Sequence, residues 1–464
     1  MKTLSRRDFI RNVTAATVAV PFASMPAAVP AINIGSRREL FVDDFLIERL
    51  TGAQLKLHKP EPRDVALVCD APWEGNTSAY FTLFQDGYRF RAYYRGSHYD
   101  EKTKKASHPE VACYAESKDG ITWTKPKLGV CEFNGSKENN IIWTGPGSHN
   151  FTPFKDANPS CPRDARYKAL AGGSTLINGK KKACLNALKS ADGTHWTMMA
   201  EAVITAGAFD SQNLAFWDAV RGEYRAYWRI FTDKVRAIRT ATSKDFIHWE
   251  NQADLKYVDS PPEHLYTNAV MPYFRAPHLF IAFPTRFQPK TQQVEPIFMT
   301  SRDGVLFRRW AAELIPITAP KDRDGNRSNY MTWGLLQLPD NDRELSVYAT
   351  EAYYKGPGSR LRRFTFRTDG FVSVHAPSAG ELLTKPLRFT GNTLELNVRG
   401  SVRMEIRDVE GKRILNESES ISGDHIAHVV KWKRGDNLSD LAGKPVRLRF
   451  ELSDADLFSI KFKS

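Results

Sequence analysis

Along most of this chain apolar and polar positions alternate in short runs, rich in aromatic and β-branched residues and bounded by Gly, Pro, Asn and Asp. That period of two reads as β-strands rather than helices. The runs come in pairs. They lie at 79–84 and 88–94 around Gln85-Asp86-Gly87, and at 214–217 and 224–230 around Arg221-Gly222. Further pairs lie at 270–274 and 279–283 around Arg275-Ala276-Pro277, and at 332–338 and 344–349 around Pro339-Asp340.

Each pair is followed by one recurring phrase. Ser117-Lys118-Asp119-Gly120-Ile121-Thr122-Trp123 returns as Ser190-Ala191-Asp192-Gly193-Thr194-His195-Trp196 and as Ser243-Lys244-Asp245-Phe246-Ile247-His248-Trp249. It returns again as Ser301-Arg302-Asp303-Gly304-Val305-Leu306-Phe307, and a degenerate copy, Arg367-Thr368-Asp369-Gly370-Phe371, closes the series. The copies are spaced by about 53 to 73 residues, which suits a four-stranded blade with variable loops. Asp-Gly supplies a tight turn, and the aromatic residue six positions after the Ser is placed to pack between neighbouring blades. Five copies predict an all-β protein: a five-bladed β-propeller over residues 32–378. Beyond 378 the phrase stops, and short strands at 394–398, 402–406, 428–432, 446–452 and 458–462 predict a β-sandwich over 379–464.

The N-terminus changes this picture. Arg6-Arg7 precede an Ala/Val-rich apolar stretch, and small residues follow near Ala28 and Ala31. Residues 1–31 thus have the order of a twin-arginine export signal, a receptor-read address that predicts passage through the export machinery to the periplasm or the exterior. No later run is long and apolar enough to span a bilayer, so no membrane insertion is expected. The five cysteines, Cys69, Cys113, Cys131, Cys161 and Cys184, include no Cys-x-x-Cys pair, and no metal or cofactor is expected. The 464 residues carry a formal net charge of +13, with basic residues interspersed among acidic ones. Export and interspersion argue against a nucleic-acid partner. A solvated basic surface accounts for the balance as it stands, and an anionic glycan, sulfated or uronate-bearing, is the alternative partner.

In a propeller the innermost strand of each blade lines the central channel, and its start opens onto one face. The strand starts here are rich in groups that both donate and accept hydrogen bonds, beside aromatic faces, as sugar recognition requires. Blade one offers Glu74 and Asn76, blade two His149 and Asn150, and blade three Asp210 and Gln212. Blade four offers Glu263, His264 and Asn268. Blade five offers Arg327 and Trp333, with Glu351 after its second strand. Glycoside hydrolysis needs two carboxyl groups flanking the scissile bond, so Asp210, Glu74 and Glu263 are the expected catalytic set. Asn76, His149, Asn150, Gln212, His264, Asn268, Arg327, Trp333 and Glu351 are the expected substrate contacts, and the two histidines are alternative proton donors. Asp119, Asp192 and Asp303 recur at the same place in every blade, which marks them as turn-forming.

Five blades with Ser-x-Asp-Gly-x-x-Trp turns and a C-terminal β-sandwich resemble the superfamily of glycoside hydrolase families 32 and 43. The resemblance implies hydrolysis of a poly- or oligosaccharide by paired carboxylates at the channel mouth. Those families place a base Asp at the start of blade one, an auxiliary Asp in blade two and an acid Glu in blade three. At those places this chain has Glu74, His149-Asn150 and Asp210. A non-catalytic glycan-binding propeller is the alternative expectation.

Overall fold

The computed structural model describes residues 30–317 and 329–464, so the export-signal reading and Arg327 lie outside the described residues. Apart from three 3-10 turns, the described secondary structure is β. Four of the blades begin with the strands Ala79–Asp86, Thr152–Lys155, Leu214–Asp218 and Val270–Tyr273, each followed outward by antiparallel neighbours. The fifth runs Tyr330–Met331, Glu344–Glu351, Arg360–Arg367 and then Glu61–Val68. Its outermost strand therefore precedes blade one in sequence, with Val68 opposite Arg360, and this pairing fastens the ring.

The repeated phrase does what its residue types require. In blade one Asp119 Oδ1 accepts the amides of Ile121 and Thr122 at 2.8 Å each, and Ser117 Oγ accepts that of Gly120 at 2.8 Å. Asp192, Asp245 and Asp303 make the same two contacts in their own blades. Each turn leans on the preceding blade. Trp123 lies edge-on to Tyr348, Trp196 to Tyr93 and Phe307 to Tyr227, with ring centroids 6.2–6.4 Å apart, and Tyr227 Oη donates to Gly304 O at 2.9 Å. Blade three has Phe246 where the others have Gly. It holds the same left-handed backbone, with φ of 70°, and is buried against Phe154 of blade two.

The fifth copy has a different duty. Asp369 is fully buried, and its carboxylate takes Tyr273 Oη (2.5 Å) and Arg275 Nε (2.9 Å) from blade four and Ser459 Oγ (2.8 Å) from the sandwich. Arg38 lies 3.3 Å away. One carboxylate thus joins the propeller, the sandwich and the N-terminal segment.

The part expected as a β-sandwich forms one continuous eight-stranded sheet. Its long strands Val372–Thr384, Thr393–Arg407 and Arg447–Lys463 are broken by bulges and pack about Phe41, Leu396, Met404, Phe450 and Ile460. The expected boundaries need correction at both ends. Glu39–Leu40, Ile47–Thr51 and Gln54–Leu57 pair with this sheet, not with the propeller. Ile34, Phe41, Leu46 and Ile47 find their apolar burial there. Val372–Thr384 runs through the expected break at 378.

Candidate active site

The starts of the first strands open into a cleft of about 300 Å³ lined by Tyr80, Arg95, Glu110, His149, Asp210, Tyr266, Tyr353 and Tyr354, among others. His149 stands at its centre on the 3-10 turn Ser148–Asn150, entered through Gly147 at φ 95°. A Cβ at Gly147 would stand 2.7 Å from that of Ala171, so the turn requires glycine for both conformation and space. The imidazole lies between two carboxylates. Its Nε2 is 2.9 Å from Asp210 Oδ1, and its Nδ1 is 2.9 Å from Glu110 Oε2.

Behind each carboxylate stands an arginine, Arg95 at 3.6 Å from Glu110 and Arg229 at 3.6 Å from Asp210. The two arginines are equivalent by register. Each lies five residues after the residue that faces the turn serine of its blade, Phe90 opposite Ser117 and Tyr224 opposite Ser243. Tyr80 lies on the Arg95 guanidinium at 4.9 Å and Tyr266 on that of Arg229 at 4.7 Å. Tyr266 Oη also donates to Asp210 Oδ2 at 3.2 Å.

The backbone is shaped to hold this arrangement. Asn150 Nδ2 donates to the carbonyls of Phe209 (2.5 Å) and Ser211 (3.1 Å), and Asn213 Nδ2 reaches the same pair at 2.8 and 2.9 Å. Two buried amides therefore bracket Asp210 while its carboxylate stays 62 % exposed. Tyr80 has φ of 57° at a register shift in Ala79–Asp86, and Gln212 Nε2 donates to the next carbonyl, that of Phe81, at 2.9 Å. Tyr354, also in the wall, has φ of 63°. Left-handed backbone at two bulky residues is strain that the surrounding contacts must sustain, and such strain concentrates at functional sites.

The contacts shift the charge equilibria of all three groups. The hydrogen bond from His149 holds Asp210 ionised; burial opposes this, while the charges of His149 and Arg229 add to it, and the pKa lies well below the ordinary carboxylate value. Burial opposes ionisation of Glu110 too, but His149 and Arg95 outweigh it and the pKa is lowered. Burial disfavours the charged imidazole, yet its bonds to Asp210 and Glu110 prevail and the His149 pKa is raised.

The structure brings Asp210 and His149 together in the cleft and gives the other expected residues different work. Asn150 and Gln212 position the cleft from below. Asn76 holds its rim, accepting Tyr99 N at 2.9 Å and giving its own carbonyl to Tyr354 N. Asn268 is buried, donating to Gln212 O at 3.2 Å. Glu74 is corrected outright. The turn at 71–74 folds its side chain inward, where it is wholly buried against Tyr94 Oη (2.5 Å), Lys125 Nζ (2.6 Å) and Ala71 N. Glu263 is tied up by Arg286 (3.3 Å) and Arg309 (3.2 Å), outside the cleft lining. Glu351 is buried between Arg360 and Arg362.

His264 sits behind Tyr266, with Nδ1 accepting Arg236 N at 3.3 Å, and does not line the cleft. Trp333 donates Nε1 to Val270 O and faces the far mouth of the channel. That mouth is an apolar cavity of about 620 Å³ whose Lys155 and Asp156 are taken up by Asp86 and Lys168. Glu110, Arg95, Arg229 and the tyrosines Tyr80 and Tyr353 were not among the expected residues. Glu110 lies in the loop before the third strand of blade one, with no sequence signal of its own.

No family model matches the chain, and no curated protein matches it. Among solved structures it is similar to an N-acetylgalactosamine deacetylase from F. plautii in complex with blood group B trisaccharide. The identity is 12 %, over 69 % of this chain and 97 % of the other, with a TM-score of 0.47. A thermostable family-43 glycoside hydrolase matches at 10 % identity over 68 % and 95 %, with a TM-score of 0.46. A Bombyx mori GH32 β-fructofuranosidase matches at 10 % over 88 % and 94 %, with a TM-score of 0.41. Likeness of this degree says nothing of activity; the five-bladed ring itself is read from the strand pairings. What fold and site define together is a β-propeller with an acid–base cleft at one channel mouth.

Proposed function

We propose that this protein is a glycoside hydrolase in which Asp210 and His149 carry the chemistry. The observation behind this reading is an exposed carboxylate of lowered pKa hydrogen-bonded to an imidazole of raised pKa, in a cleft walled by tyrosines suited to sugar faces. His149 gives its proton to the glycosidic oxygen as the C–O bond breaks. Asp210 stabilises the positive charge on the anomeric carbon and takes a proton from the water that attacks it. The leaving hydroxyl and the new hemiacetal then hold the atoms of one water, and the proton on Asp210 returns to His149 along their 2.9 Å contact. This differs from the expected pair of carboxyls, because both Asp210 and Glu110 are held ionised and neither retains a proton to give. Glu110 orients His149.

The twin-arginine reading adds that the substrate is met outside the cytoplasm, which N-terminal sequencing of the exported form tests. The assay for hydrolysis is a product screen of the mature protein against neutral, uronate-bearing and sulfated polysaccharides, beside Asp210→Ala. New reducing ends that vanish in the variant support the proposal. A recognition propeller is the second reading, favoured by the closed hydrogen-bonding of the Asp210–His149–Glu110 set. Binding without turnover on every polysaccharide would establish it instead.

A further inference from the structure

Two hollows meet at His149 and Asp210. The walled cleft of about 300 Å³ lies on one side, and a more open hollow of about 420 Å³ lies on the other. His149 and Asp210 line both. The rest of the second hollow comes chiefly from blade two and the approach to blade three, through Pro146, Gly172, Ser174, Lys181, Ala183 and Phe209. Ser174, Lys181 and Ala183 are exposed, and Gly172 is half-buried. Both volumes fall in the range of ligand sites, about 300–1,000 Å³.

The second hollow follows from the residue types on one face of the hairpin Tyr167–Ile177 and Lys180–Ser190. Thr152 of the inner strand pairs with Leu170, so residues 171–177 run on past the channel mouth as a wall. The register that gives Arg95 and Arg229 in blades one and three, counted from the residue facing the turn serine, gives Gly172 in blade two, where Tyr167 faces Ser190. Where those blades send out a long side chain, blade two has none. A Cβ there would stand 2.7 Å from Asn150 Oδ1, which accepts Gly172 N at 2.8 Å. Ser174 comes two residues on and lies opposite Ala183, so both present small side chains to the same face. Lys181, two residues from Ala183, shares that face and brings an ammonium donor to it.

We infer that the second hollow holds the leaving-group side of the substrate, so that the sugar chain crosses His149 and Asp210 and is cut within its length. This rests on the cleft being the glycan-cleaving site and adds which side of the bond each hollow takes. The ring that gains positive charge needs the enclosed cleft, where Tyr80 and Tyr266 stand beside Asp210. The leaving sugar needs the proton of His149, which borders both hollows, and an open path outward. The small side chains admit the breadth of a ring, and Ser174 and Lys181 supply donors to its oxygens.

The mature protein beside Ala183→Ile, Ser174→Ile and their double variant tests this on the same neutral, uronate-bearing and sulfated polysaccharides. Isoleucine suits a strand and closes the hollow from either side of the hairpin. The readouts are the sizes of the earliest products and affinity electrophoresis in gels carrying each polysaccharide. Early products of mixed length are expected, with polysaccharide turnover at least ~10-fold lower in the double variant and unfolding midpoints unchanged. Release of single sugar units alone overturns the assignment and leaves the hydrolase standing. So does wild-type turnover in whichever of these variants keeps its unfolding midpoint. Binding without turnover, weakened at least ~10-fold in the double variant, keeps the second hollow as a chain-binding subsite and removes the hydrolase. Binding unaltered in the variants, or neither binding nor turnover of any polysaccharide, overturns it.

Discussion

His149 Nε2 lies 2.9 Å from Asp210 Oδ1, and the two residues come from different blades, separated by 61 positions in the chain. That contact joins the turn before blade two's first strand to the loop before blade three's. It makes one group's charge the cause of the other's.

If the pair works as a unit, its members are not additive. Asp210→Asn and His149→Asn should each lower kcat by roughly 10²–10⁴. The double variant should be little worse than the poorer single one. Steady-state kinetics of the three proteins checks this, and independent losses that multiply would count against a shared proton.

The pH profile follows from the same contacts. Asp210 must be ionised and its pKa is depressed, so the acid limb should fall below the ordinary range for aspartate. His149 must be protonated and its pKa is raised, so the basic limb should fall above about 6.5. For stability, the depressed carboxylate contributes fully above its unfolded pKa and loses that contribution as pH falls through the folded one. The raised histidine contributes fully below its unfolded pKa and loses it as pH rises through the folded one. Unfolding midpoints of the wild type should therefore exceed those of His149→Asn most clearly between about pH 4 and 6.5.

Glu74 and Lys125 form a buried pair outside the cleft. Glu74→Gln should destabilise the fold by about 1–3 kcal/mol, since the buried carboxylate's charge-assisted bonds to Tyr94 and Lys125 are lost while Lys125 keeps Asp70 at 2.9 Å. Turnover per folded molecule should be unchanged. Denaturant unfolding beside active-site titration separates the two effects.

Asn150→Ala removes donors from the carbonyls of Phe209 and Ser211, although Asn213 still reaches both. A loss of about 1–3 kcal/mol in stability is expected, with a lower kcat because Asp210 is no longer bracketed on both sides. A variant with wild-type kcat would show that Asn213 alone positions the carboxylate.

Repetition made the propeller legible in the sequence. The Ser-x-Asp-Gly turn uses only neighbours within five residues, so its residue types declare its structure wherever they occur. The excluded aspartates Asp119, Asp192 and Asp303 are turn acceptors for that local reason. Long-range pairing has no such signature. The strands at 39–57 join a sheet whose other members begin beyond residue 370, and Glu61–Val68 closes blade five from the opposite end of the ring.

The site divides along the same line. The sequence by itself determined that polar residues gather at the strand starts, and Asp210, His149 and Asn150 were readable there. Only the tertiary structure decided which carboxylates turn inward to an ion pair, as Glu74 does, and which face the cleft. It alone brought Glu110 from a loop with no motif to His149, and Arg95 and Arg229 from equivalent places in two blades to the two carboxylates. A residue's type states what it can bond to. Which partner it meets, and hence which proton it holds, depends on the curvature that closes five separate sheets around one channel.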